Sequence, residues 1–171
     1  NLYNHGIATL AVLEAWMMTG DPSFGKSAER ALEVIVRAQQ PEGGFDYTAS
    51  GNHRNDTSVL GWQVMALAAA ARGGIAVPPE VLEKALRQMD RVTDGSGRMG
   101  YLAAGEKRPA LTALGVYARL LLGQDRNHPT LAGGAALLAT EEDPEFPYYH
   151  AFYTAVAAFQ HGRKSWEAWN E

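Results

Sequence analysis

The chain has 171 residues, 46% of them hydrophobic and 20% charged, which suits one globular domain with a real core and excludes a disordered or fibrous chain. A net charge of −4 without any basic run argues against a nucleic-acid surface and against a patch for anionic membranes. Cysteine is absent, which removes disulfides, thiolate zinc sites and cysteine nucleophiles together.

The chain opens directly on "NLYNHGIATL", which leads to the expectation that it is a piece of something longer. Gly6–Thr19 is helical in pattern and apolar almost all round, with Glu14 its single charge. Phe24–Gln40 is amphipathic instead: Ala28, Leu32 and Ile35 mark one face, while Lys26, Glu29, Glu33 and Arg37 mark the other. A joint follows, "QQPEGGFDY", and Asp56 stands where a helix N-cap belongs. Thr57–Ala71 carries no charge at all, so it requires cover on more than one side. Pro79–Val92 is amphipathic again, entered through two prolines. Ala110–Leu122 is apolar with one Arg119, Pro129–Thr140 is a weaker amphipathic segment, and Ala151–Gln160 is uncharged. The apolar segments end at Gly20, Gly73, Gly123 and Gly162, where left-handed C-caps are expected. Those glycines are 53, 50 and 39 residues apart, the span of a helix pair. No alternating β pattern competes, and no apolar stretch is long enough to cross a bilayer. The expected fold is all-α, a two-layer array of helix pairs over residues 1–171.

The joint has a recognisable look. Arg30, Ala31, Ile35, Gln39, Gly43 and Phe45 resemble the glutamine–aromatic repeat of the squalene cyclase and protein prenyltransferase class, with Phe45 in place of the usual tryptophan. "KALRQMDRVTDGSGRMGY" resembles a second copy at Lys84, Ala85, Met89 and Gly97, with Thr93 where the glutamine would stand. "DTSVLGWQVMAL" and "RPALTALGVYARLLLG" also resemble uncharacterised bacterial proteins of this repeat class. The resemblance implies an α/α toroid of inner and outer helices, of which this chain supplies an arc. It also implies a cavity at the N-terminal ends of the inner helices, where unpaired N–H groups gather. The cavity-mouth candidates are Tyr3, His5, Arg54, Asp56, Arg108, Tyr149 and His150.

The chemistry implied by that class is incomplete in this chain. Cyclases of the class protonate with an Asp-x-Asp-Asp cluster, which this chain lacks. "FPYYHAFYTAVAAFQHG" is similar to the prenyltransferase stretch holding a zinc-binding histidine, which would make His150 a ligand. "TDGSG" is similar to the stretch that supplies the aspartate and cysteine, but Ser96 stands in the cysteine position. Asp94 and His150 alone make a poor zinc site, so Asp94 reads as a turn residue and His150 as a helix-start histidine. A thioester needs the missing cysteine. A glycosidase would need two carboxylates across a cleft, for which Asp46, Asp56 and Asp94 are the weak candidates.

Two functions remain as expectations. In the first, a non-catalytic repeat domain binds an apolar ligand, isoprenoid or lipid, or a protein segment. In the second, an enzyme acts on isoprenoid or lipid substrates with part of its machinery outside this chain. Aromatics such as Tyr148, Phe152 and Tyr153 could line a lumen in either case. Self-association through the end helices is also expected, because terminal repeats lack a neighbour.

Overall fold

The computed structural model describes residues 1–170 and is all-helical, as the apolar periodicities predict. Eight helices form among the described residues: α1 (Leu2–Thr19), α2 (Pro22–Ala38), α3 (Thr57–Arg72), α4 (Pro79–Arg91), α5 (Pro109–Leu121), α6 (Pro129–Leu137), α7 (Pro147–His161) and α8 (Arg163–Asn170). The chain forms two compact units, Asn1–Gln88 and Met89–Glu171. No described helix is long and apolar enough to cross a membrane.

In the first unit, α1 packs against both α2 and α3. The α2 helix starts at Pro22 behind the Asp21 cap, whose carboxylate accepts from the Ser23 amide, and it buries Ala28, Leu32, Ile35 and Ala38. In the second unit, α5 packs on α7 and α6, and α8 packs on α7. α3, uncharged except for Arg72 at its end, and the nearly uncharged α5 are buried around most of their circumference, as a helix without a polar face must be.

The apolar helices α1 and α7 depart from that expectation. α1 buries only Leu2, Gly6, Thr9 and Leu13 and leaves Met18 86% exposed. α7 buries Tyr153, Thr154, Ala157 and Ala158 but leaves Tyr148, Phe152 and Phe159 in solvent. Neither has a full polar face, yet among the described residues one side of each is left exposed. The helix ends differ as well. Gly20 and Gly123 take the left-handed conformation, but after α3 it is Gly74 that does so, with Gly73 at φ −76°. Gly162 has φ 130° and ψ 177°, outside the αL region. The short α8 lies beyond the predicted helices; its Trp166 and Trp169 sit on one face, their ring centroids 5.5 Å apart.

The repeat is visible in backbone geometry. The Gln40 amide donates to the Gly44 carbonyl at 2.9 Å and the Gly43 amide to Gln40 at 2.8 Å. Fifty-four positions on, the Asp94 amide donates to Arg98 at 2.9 Å and the Gly97 amide to Asp94 at 3.0 Å. Gly43 and Gly97 both have positive φ, at 101° and 88°. Phe45 and Met99 occupy the same register two residues later, and both are fully buried. Each turn glycine lies against the backbone of a later helix, α4 or α6, the latter without the charged face expected of Pro129–Thr140: a Cβ on Gly43 would meet the Lys84 carbonyl oxygen at 2.1 Å, and one on Gly97 the Thr130 carbonyl oxygen at 2.3 Å.

Candidate functional site

The densest polar cluster of the first unit lies in the joint between α2 and α3. Asp46 and Asp56 are both buried, and the Arg54 guanidinium lies between them, donating to Asp46 through Nη1 and to Asp56 through Nη2 at 3.2 Å. Asn52 donates to the second oxygen of Asp46 at 2.6 Å, and Gln40 donates to Asn52 and to the Arg54 carbonyl. Burial alone would raise the pKa of Asp46. The bonds from Asn52, the Tyr47 amide and Arg54 outweigh it and hold the carboxyl below its ordinary range. Asp56 is also the cap of α3, its Oδ1 accepting from the amides of Ser58 and Val59 and from the Ser58 hydroxyl. His53 flanks the cluster at φ 59°, with Nδ1 2.7 Å from Glu42.

A group of rings borders these charges. Tyr47 follows Asp46 in the chain and its carbonyl accepts from the Leu2 amide, which fastens the joint to the start of α1. Tyr3 stacks on Tyr47 with centroids 6.0 Å apart and meets Trp62 edge-on at the same distance. Gln63, beside Trp62, donates to the Leu2 carbonyl at 2.7 Å. The three rings are partly exposed, so the starts of α1 and α3 present an aromatic surface next to a buried ion cluster.

The second unit arranges its helix starts differently. Asp143 accepts from the Ala110 amide in the first turn of α5 and from the Phe146 amide before α7, so one buried carboxylate serves two helix N-termini. Arg108 precedes α5 without a side-chain capping bond and pairs on the surface with Glu145 at 3.1 Å. The Tyr149 ring packs edge-on against Tyr153, centroids 4.7 Å apart. His150 is half-buried, and burial lowers its pKa against the opposing pull of Asp143, Glu141 and Glu142. Asp94 is a turn carboxylate: the Ser96 hydroxyl and amide and the Arg98 amide bond it and hold its pKa down. Arg98 pairs in turn with Glu141.

Comparison with protein-family models, with curated proteins and with solved structures finds no match for the chain. The geometry therefore carries the functional reading.

Of the sequence candidates, the first unit brings Tyr3, Arg54 and Asp56 to one end of α1 and α3. His5 does not join them; its Nε2 lies 2.9 Å from the Ala31 carbonyl and links α1 to α2. Asp46 and Asp56 share one arginine, which leaves neither of them facing the other across an open cleft. Among the described residues, no three His, Asp or Glu side chains converge as a metal site would require. Two members escaped sequence reasoning. Tyr47 was missed because only the folded joint returns it to Tyr3, and Asp143 because its two amide partners are 33 positions upstream and 3 downstream. The one available signal for Asp143 was its position just before a proline-entered helix.

Proposed function

We propose that this chain is a binding domain of the cyclase- and prenyltransferase-like repeat class, an arc of an α/α toroid that takes up a neutral apolar ligand such as an isoprenoid or a lipid. The observation that carries this reading is the Tyr3–Tyr47–Trp62 group, which offers partly exposed apolar surface at the starts of α1 and α3. The charges beside it already have structural tasks: Asp56 caps a helix, and Asp46 and Arg54 neutralise one another. An acid or base committed to such bonds is poorly placed for proton transfer. Two carboxylates against one guanidinium leave the cluster anionic, which disfavours a diphosphate and favours an uncharged chain.

The test is a titration with farnesol, followed by tryptophan fluorescence. Saturable quenching that Tyr3→Ala weakens about tenfold supports the reading. Farnesyl diphosphate binds more weakly than the alcohol. Quenching that is unaltered by Tyr3→Ala, or that fails to saturate, removes it. Turnover of squalene or farnesyl diphosphate by the chain would replace binding with the enzymatic alternative.

A further inference from the structure

A second feature of the first unit lies away from the ring group. One side of α2 and the segment after α3 enclose an open groove of about 490 Å³, a volume in the range of ligand sites. Leu32, Val36, Ile75 and Pro78 form an apolar floor. Glu29, Glu33 and Arg37 line its edge at successive turns of α2, each about 6 Å from the last.

The edge carries a net negative charge, two carboxylates against one guanidinium. Glu29 and Glu33 are like charges four residues apart, an arrangement that opposes helix formation. Among the described residues neither forms an ion pair, although Arg37 stands one turn after Glu33 in the favourable order. A groove with buried Leu32 and half-exposed Val36, Ile75 and Pro78 at its base, and two carboxylates against one Arg37 on its rim, is complementary to one kind of chain. We propose that it docks a segment of a partner protein in which basic residues one helical turn apart flank apolar ones. The apolar side chains of the segment lie on Val36 and Ile75 while its cations meet Glu29 and Glu33. The net charge of −4 on the whole chain favours the approach of such a partner.

Fluorescence anisotropy with two labelled amphipathic peptides tests this, one built of leucine and lysine and one of leucine and glutamate. Wild-type protein should bind the lysine peptide saturably and about tenfold more tightly than the glutamate peptide. The double variant Glu29→Lys, Glu33→Lys should reverse that order. Tyr3→Ala should leave it intact, which separates this site from the ring group and from the failure of the farnesol test. Circular dichroism verifies that each variant is folded. Equal binding of the two peptides, no binding of the lysine peptide, or an unchanged order in the double variant overturns the proposal. So does a change of sedimentation coefficient in the double variant, since the occupant would then be a second copy of this chain.

Discussion

The two joints of the repeat, residues 39–56 and 93–108, share turn geometry and several matched residues, Gly43/Gly97, Tyr47/Tyr101, Gly51/Gly105 and Arg54/Arg108 among them, and differ in the side chains that fasten them. Both close with a positive-φ glycine and the same pair of turn hydrogen bonds, and both bury a large apolar residue two positions later. In the first, the Gln39 amide group donates to the Gly43 and Val81 carbonyls at 3.0 and 2.9 Å. In the second, Thr93 caps back onto the Met89 carbonyl and accepts from Arg119, a fully buried guanidinium that also bonds Asp90 and Gln124. The repeat is thus maintained by turn geometry and close backbone approach, while the polar fastening is interchangeable. That is why a joint lacking the glutamine retains its shape.

The strongest way to break this equivalence is to remove either turn glycine. Gly43→Ala and Gly97→Ala each force a Cβ into the backbone of the following helix at a φ that L residues avoid. Each should cost about 3–5 kcal/mol, the sum of backbone strain and overpacking, read as a loss of unfolding free energy in urea. A cost below about 1 kcal/mol at either site would show that the two turns are not equivalent. The arginines come next. Arg54→Ala leaves Asp46 and Asp56 buried without their shared cation and should cost about 2–3 kcal/mol, solvent access to Arg54 softening the loss. Arg98→Ala strands Glu141 and removes a longer pairing with Asp94 at 3.8 Å, and it should cost about 1–2 kcal/mol. Equal losses would mean that the first cluster is no more deeply committed than the second.

The helices were legible because apolar periodicity and charge-free runs are local properties. Phe24–Gln40 and Thr57–Ala71 fall within two residues of α2 and α3 at every end; α2 stops at Ala38 because Gln39 turns to extended backbone, from which its side chain reaches Val81. Asp56 was legible as a cap for the same reason, since its partners are two and three residues away. The Asp46–Arg54–Asp56 grouping was not, because the path of an eighteen-residue joint decides it and no periodicity describes that path. The exposure of α1 and α7 was misjudged for a related reason. An apolar circumference says what a helix needs, not how many neighbours it receives.

A smaller effect separates the fastenings themselves. Gln39→Ala deletes two bonds to partly buried carbonyls and should cost about 1–2 kcal/mol in the same urea assay. Thr93→Val should cost less, about 0.5–1 kcal/mol, because Arg119 retains Asp90 and Gln124. If the order were reversed, the threonine joint would be the more dependent on its side chain, and the polar fastening would not be interchangeable.

The smallest effect distinguishes the two units by pH. His150 in the second unit has its pKa lowered by burial, so the unfolded chain binds its proton more readily than the folded one. Stability therefore falls as pH drops below the unfolded value of about 6.5, and it stops falling once pH is under the folded value. In the first unit, Asp46 has its pKa depressed despite burial, through Asn52, the Tyr47 amide and Arg54. Its contribution is fully present above an unfolded pKa of about 3.9 and is lost only as pH falls through the lower folded value. Between pH 7 and 5 the loss should amount to less than about 1 kcal/mol, since His150 retains some solvent, and it should be absent in His150→Gln. Trp16 and Trp62 report on the first unit, and Trp166 and Trp169 on the second, so variants retaining one set or the other locate the change. A pH 7-to-5 loss that survives His150→Gln would assign it to another group, and the separation of the units by titration would fail.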